Sequence, residues 1–512
     1  MMQAGQGKSR KRRRSKRNGI PESIISAPAY LTRKTPCYEL LDEESLVALE
    51  TQADWILAEI GIEIRGDEIA LDLFRQAGAT VDGNRVRFDP GHARALCTTA
   101  PKKFTMHARN PANNIEFGGD HLVFAPAYGP PFVTDLESGR RYATIEDFEN
   151  FIKLTYGCAA LHHQSGTVCE PVDVPVNKRH LDMVYAHLCY SDKPFMGSVT
   201  ATERSEDSLA MARLVFGEDF MQKHLVVQGN INVNSPLVYD ETMTGALRTY
   251  AAANQGTVVS PFILGGAMSP VTQAALIAQA HAEAMVGIAL TQLVRPGAPV
   301  VYGSFLTTMD LKTGAPTFGT PESSLACLAI SQLCRRLGLP FRCGGHLTAS
   351  KVADAQAMQE SADTMKPAIM AGANFIFQAA GWLEGGLTIG YEKFVMDVDR
   401  CAAEARFIDG LTINDNELAG DAFKEAGIGG NFLGVQHTME NFRTANFRSE
   451  LCDNNSYEQW SEDGSQDMQQ RAHRLWKQQL QSYQKPPMDI AVEEALAEFV
   501  HTRKASMDDH WH

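Results

Sequence analysis

Several familiar signatures of catalysis are missing from these 512 residues. There is no C-x-x-C pair, no G-x-S-x-G elbow and no H-E-x-x-H helix. No strand-like run is followed by G-x-G-x-x-G or G-x-x-x-x-G-K-[ST]. These absences argue against a thioredoxin-like or zinc-ribbon protein, an α/β-hydrolase, a zincin, and a dinucleotide or P-loop enzyme. Long apolar runs are also missing. The nearest, "AALIAQAHAEAMVGIALTQLV" (274–294), is interrupted by His281 and Glu283 and reads as a buried helix, so no membrane partner is expected. Positive charge is scarce in the body of the chain. The net charge of −14 argues against a general nucleic-acid binder. The exception is the first 17 residues, "MMQAGQGKSRKRRRSKR", which hold eight Lys or Arg and no acid and read as a solvated tail.

What is present is ordinary for a soluble globular protein: 44% hydrophobic and 21% charged residues, on a chain long enough for one large domain with appendages. The ten cysteines, Cys37 to Cys452, have neither zinc-finger nor paired spacing, so they read as reduced core thiols of a cytoplasmic protein with no metal site.

The pattern along the chain divides it into a basic tail (1–30), an N-terminal helix and hairpin extension (31–120), a barrel (121–405) and a C-terminal helical extension (406–512). From 120 onward, short apolar strands alternate with helical stretches. The strands are expected at 122–128, 164–169, 194–199, 224–232, 258–264, 299–305, 340–345 and 375–380. Helices are expected near 144–157, 175–190, 204–215, 240–253, 270–292, 321–337, 351–370 and 391–404. Eight such units predict an α/β chain folded as a (β/α)8 TIM-type barrel, with an open doubly wound sheet as the alternative.

A barrel of this kind places its chemistry at the C-terminal ends of the strands. Aromatics recur there: Tyr128, Phe132, Phe305, Trp382 and Tyr391. Rings around a carboxylate hold a quaternary ammonium group, whereas rings alone also pack a barrel top. Glycines crowd the same ends at Gly344, Gly345, Gly385 and Gly386, where they admit a large ligand or serve turns. His346 follows two of them, and Gln378, Trp382 and Glu384 follow the last strand. Glu170 and Asp173 offer a weak acid–base pair. His162 and His163 read as packing, Cys169 and Cys343 as core thiols.

The segments "YGPPFVTDLESGRRYATIEDFENFIKL", "MDLKTGAPTFGTPE", "GGHLTASKVADAQA" and "GANFIFQAAGWLEGGLTIGYEKFVMD", with the closing "YEQWSEDGSQDMQQRA", resemble the trimethylamine methyltransferase family from about residue 30 to the end. The resemblance implies a methylated amine as donor and, as acceptor, the cobalt of a corrinoid (cobalamin) carried by a partner protein. One departure stands out. Members that demethylate trimethylamine carry pyrrolysine, and this chain has none; the matching stretch is "CGGHLTASK", with His346 nearest that position. The chain is therefore similar to the non-pyrrolysine branch, whose substrates include glycine betaine.

The chemistry agrees with that branch. A quaternary ammonium loses a methyl group to leave a neutral tertiary amine, whereas trimethylamine needs prior activation. On this reading Tyr128, Phe305 and Trp382 cage the ammonium with Gln378 beside them, and Glu384 offsets its charge. His346 holds a substrate carboxylate, and Gly344, Gly345, Gly385 and Gly386 admit the corrin ring. A homo-oligomer is expected. The alternatives are an enzyme for another methylated amine, a catalytically silent betaine-binding barrel, and a lyase or isomerase using Glu170 and Asp173.

Overall fold

The computed structural model describes residues 28–511, so most of the basic tail lies outside the described residues. The centre is a sheet of seven parallel strands: β1 (His121–Phe124), β2 (Phe195–Met196), β3 (Val227–Val233), β4 (Gly256–Gly265), β5 (Val300–Gly303), β6 (Phe341–Gly344) and β7 (Phe375–Phe377). Their order is β1-β7-β6-β5-β4-β3-β2, all parallel, so the first and last strands in sequence lie side by side and the sheet is strongly curled. Helices cover its outer face: α1 (Ile145–Gly157), α2 (Arg179–Tyr190), α3 (Thr202–Phe216), α4 (Glu241–Ala252), α5 (Gln273–Val294), α6 (Pro321–Leu337), α7 (Ala355–Met370) and α8 (Tyr391–Ile408).

The expected strand at 164–169 does not form; most of that stretch runs as bends and coil. Residues 162–165, which overlap its start, take the position between β1 and β2. The N–H groups of His162 and His163 donate to Phe124 O, Gln164 N–H donates to Pro194 O, and Met196 N–H donates to Ser165 O. Its side chains are polar yet buried: the His162 ring lies 5.9 Å from that of Phe124, the His163 ring 5.0 Å from that of Phe375, and Gln164 Nε2 donates to the Ser191 hydroxyl.

Local signals explain the helix boundaries. Thr144 and Asp147 form a capping box at the start of α1, and Asp240 and Asp354 cap α4 and α7. Pro321 opens α6, and Gly338, left-handed at φ 70°, ends it. The apolar 274–294 stretch is α5, with 89% of its most apolar window buried. It packs against the sheet and against the N-terminal helix Glu43–Trp55. The hairpin expected in the N-terminal extension forms from Thr80–Asp82 and Arg85–Arg87. Near the C-terminus, α9 (Met468–Gln481) packs on α8 and α1, and α10 (Ile490–Ala505) packs on α2 and α3.

Inside the sheet, Val123, Met196, Val258, Val301 and Phe375 form an apolar layer. A second hairpin, Phe104–Met106 with Ile115–Phe117, closes its N-terminal end with Met106, Ile115 and Phe117. Polar side chains can therefore face inward only nearer the C-terminal end.

Six histidines among the described residues are buried, and desolvation lowers all of them, His180 included. Desolvation pushes His162 and His346 down to about 3 and His187 and His281 down to about 4, and takes His163 well below its ordinary value. In the unfolded chain each takes up a proton near pH 6.5. The unfolded state therefore gains protons first as the solution is acidified, and stability is lost as pH falls below about 6.5. Urea midpoints measured between pH 7.5 and 4.5 are expected to decline steeply below about pH 6; a flat profile would contradict the buried, neutral assignment.

Candidate functional site

Strand pleating decides which residues enter the interior. On β3, Gly229 faces Tyr250 of α4, so Gln228 and Asn230 point the other way, inward. On β6, Arg342 and Gly344 share the inner face, and on β7 Phe375 and Phe377 do so. Beyond the apolar layer these residues make a polar layer centred on Arg342.

Arg342 is buried, at 3% exposure. Its Nη1 donates to Ser260 Oγ (3.0 Å) and to Ser304 O (3.4 Å), and its Nη2 donates to Gln378 Oε1 (3.2 Å). The guanidinium lies 4.4 Å from the Phe377 ring centroid and 5.7 Å from that of Phe305. Burial pushes it down to about 10, still protonated at neutral pH. Tyr128 stacks on Phe377 at 6.1 Å, and burial pushes its hydroxyl up to about 12.

A second group of rings adjoins the first. Phe305 stands 5.8 Å from Trp382 and 6.0 Å from Phe318, and Trp382 stands 6.1 Å from Phe318. Phe305 thus forms a wall shared by the Arg342 layer and the Trp382 cluster. Gly344 sits against this wall: a Cβ there would lie 3.1 Å from the Phe305 ring and 3.2 Å from Gln378 Oε1. Gly303 is equally constrained, since a Cβ would come within 2.8 Å of Ser260 Cβ.

Of the residues singled out in the sequence, the structure gathers Tyr128, Phe305, Trp382, Gln378 and Gly344. It places the others elsewhere. The His346 imidazole lies on the helix side of the strands: its Nδ1 donates to Ala379 O (2.7 Å), with Asp397 and Cys401 of α8 beside it. Being neutral there, it supplies no charge for a carboxylate. Glu384 is held by Arg140 through two bonds, Nε to Oε2 (2.7 Å) and Nη2 to Oε1 (3.2 Å), and accepts from the Thr388 hydroxyl (2.6 Å). Burial raises its carboxyl, but Arg140 and Thr388 outweigh burial and keep it below its ordinary value. Its charge is thus already matched by Arg140. Gly345 makes room for Ile376 and Met365, not for the interior. Gly386, at φ +100°, lies under the Trp382 ring, and a Cβ there would come within 2.4 Å of it. Gly385 faces Pro316 and Phe318.

Two further aromatics are structural. Tyr391 stacks on Phe151 at 4.4 Å and donates to Asp147, and Phe132 lies under Arg140 at 3.5 Å. The acid pair does not converge either: Glu170 binds Arg179 at 2.6 Å, and Asp173 accepts the Ile145 N–H at the start of α1. Burial pushes the Cys169 and Cys343 thiols well above their ordinary value, which leaves both unreactive.

Arg342 and Gln228 are the residues that sequence reasoning passed over. The available signal was positional: both are polar residues at inward parity within short strands. The loop bearing Trp382 has its own support. Gly381 N–H donates to Asp397 Oδ2 (2.9 Å), and Asp397 pairs with Lys393 at 2.5 Å, both side chains fully buried.

Known proteins resemble this chain over most of its length. Residues 6–508 match the family model described as trimethylamine methyltransferase (MTTB). A glycine betaine methyltransferase of Desulfitobacterium hafniense (strain Y51) is 38% identical over 469 residues, which cover 91% of this chain and 98% of the relative. A proline betaine:corrinoid methyltransferase of Eubacterium limosum is 27% identical over 476 residues, 90% of this chain and 95% of the relative. The crystal structure of the Methanosarcina barkeri monomethylamine methyltransferase (MtmB) aligns over 89% of this chain and 97% of its own, at 9% identity and a TM-score of 0.46. With a family model spanning nearly its whole length, this chain belongs to the trimethylamine methyltransferase family.

Proposed function

We propose that the chain transfers a methyl group from a quaternary amine, such as glycine betaine, to the Co(I) of a corrinoid held by a partner protein. The observation that carries this reading is the Trp382–Phe305–Phe318 ring cluster at the C-terminal end of the strands. Such faces attract a methylated cation that has left water. The curled sheet, with residues 162–165 bridging β1 and β2, supports a closed (β/α)8 barrel with this cluster at its mouth.

The reaction is a displacement. The C–N bond breaks with its electron pair going to nitrogen, which leaves as a neutral tertiary amine. The cobalt supplies the pair that forms the new Co–C bond. No proton has to be delivered, and none of the buried histidines is charged to deliver one. The protein's task is positioning and desolvation. Trp382 and Phe305 hold the ammonium, with Tyr128 and Gln378 on the Arg342 side of the wall. Arg140–Glu384 steadies the loop that carries Trp382.

The test is methylation of free cob(I)alamin, followed spectroscopically, with glycine betaine, proline betaine, carnitine, choline and trimethylamine. Methylcobalamin is expected from at least one quaternary amine and none from trimethylamine. Turnover of trimethylamine alone would overturn the proposal.

A further inference from the structure

After α8 the chain leaves the body and comes back to it. It departs at Asp409, next to Ile408 O, which accepts the Lys34 N–H (2.8 Å). It returns at Ser449, whose Oγ donates to Asp399 Oδ2 (2.7 Å), while the Glu450 N–H donates to Asp399 Oδ1 (2.8 Å). Residues 411–447 between these anchors form an arm. Its helices Gly420–Ala426 and Gln436–Asn441 pack on each other. Its hydrogen bonds close within it: the Gln436 N–H donates to Glu425 Oε2 (3.1 Å), and His437 Nε2 donates to Asn416 O (2.8 Å).

Among the described residues, none of the arm's large apolar side chains joins the hydrophobic core. Leu411, Ile413, Phe423, Ile428, Leu433 and Phe442 are each at least 58% exposed. At about 200 Å² for a large side chain, together they present roughly 900 Å² of apolar surface. Soluble monomers rarely expose so much in one region. A standard stable interface takes about 800 Å² from each partner. Gly434 lies among these residues without a left-handed backbone. No non-neighbouring atom of the described residues stands within 4 Å of where its Cβ would be, so packing within the chain does not require glycine there. A surface that approaches closely from outside does.

We infer that this arm is an interface with a second copy of the chain. Two arguments select that occupant. The apolar area matches what one partner of a stable pair contributes, and a surface this apolar suits a permanent contact rather than a transient one. The root of the arm also lies at the wrong end for a protein that acts at the site. Lys34, which meets Ile408, follows Arg33, whose N–H donates to Asp120 O at the start of β1. The root is therefore at the N-terminal ends of the strands, opposite the Trp382 cluster. In a two-fold pair the contact is isologous, so each arm is covered by the other copy. Gly434 then admits the other copy's surface.

The experiment is sedimentation velocity on the full chain over a dilution series. The samples are wild type, Ile428→Asp/Leu433→Asp and Gly434→Gln, with Leu311→Asp as a control at an apolar residue exposed outside the arm. Wild type is expected to sediment at twice the chain mass or an even multiple of it. The double variant should self-associate ~100-fold more weakly, because it carries unpaired carboxylates into a buried contact. Gly434→Gln should also weaken the assembly, and Leu311→Asp should sediment as wild type does. Ile428 and Leu433 lie outside the core, so the variants should keep the wild-type far-UV circular dichroism. Hydrogen exchange supplies a reading that needs no variant: amides of 420–441 should exchange faster in the dissociated wild-type chain than in the assembly. Wild type that is monomeric throughout would overturn the interface and leave the arm to a different protein. An assembly that survives in both arm variants, one lost equally in Leu311→Asp, or arm amides that exchange alike in assembled and dissociated chains would overturn it too.

Discussion

Replacement of Trp382 by alanine is expected to lower kcat/KM for the quaternary amine by ~30-fold, with most of the loss in KM. A desolvated cation over an indole face is stabilised by about 2 kcal/mol, and the alanine variant forfeits that term. Trp382 is only 6% exposed and is packed by Phe305, Phe318 and Gly386, so the same change also removes core contacts. A large aromatic truncated in a core costs about 3–5 kcal/mol of stability. Two measurements separate the effects. A thermal melt reads the packing loss. Trp382→Phe keeps a smaller π face and should recover part of the activity, whereas Trp382→Leu should restore volume without restoring KM. Equal activity in the phenylalanine and leucine variants would mean that Trp382 only packs.

Lys393→Met is expected to destabilise the fold by about 3–5 kcal/mol, because it strands a buried carboxylate. Burial holds the Lys393 ammonium below its ordinary value and pushes the Asp397 carboxyl up to about 6, so at neutral pH the two remain an ion pair, one turn apart on α8. Without Lys393, Asp397 keeps only the Gly381 N–H. The double variant Lys393→Met/Asp397→Leu should regain most of the stability, since an apolar pair of similar volume often replaces a buried ion pair at little cost. It should not regain full activity. Asp397 holds Gly381, and Gly381 precedes Trp382, so losing the carboxylate loosens the loop that presents the indole. Denaturant unfolding checks the first statement and the KM of the double variant the second. A double variant no more stable than the single one would contradict the ion-pair account.

The parts of the molecule that were legible in the sequence are those set by local pattern. The eight helices α1–α8 fall within a few residues of their expected spans, because caps such as Thr144, Asp240 and Asp354 and the Pro321–Gly338 pair mark their ends. The seven strands were visible as short apolar runs. The segment at 162–165 was expected two residues late, at 164–169, because its own side chains, His, His, Gln and Ser, carry no apolar signature.

The site was legible to the extent that strand ends name their occupants. Tyr128, Phe305, Trp382 and Gln378 come together as that rule implies. The rule misplaced His346, whose φ of 46° accompanies an imbalance in direction: its ring lies toward α8. It also gave Glu384 a free charge, because nothing local reveals that Arg140, 244 residues away, takes it up. Arg342 escaped notice for the opposite reason. It lies inside a strand, where a lone basic residue reads as an exception, and only the parity of β6 shows that it points inward.

The central claim is that a methyl group leaves a quaternary nitrogen for cobalt. The most direct measurement supplies the protein and cob(I)alamin with glycine betaine deuterated in all three N-methyl groups and follows both products by mass spectrometry. The account predicts trideuteromethyl cobalamin and dimethylglycine with its remaining two methyl groups deuterated, in equal amounts. Labelled dimethylglycine without labelled methylcobalamin, or intact betaine beside unmethylated cobalamin at millimolar substrate, would contradict it.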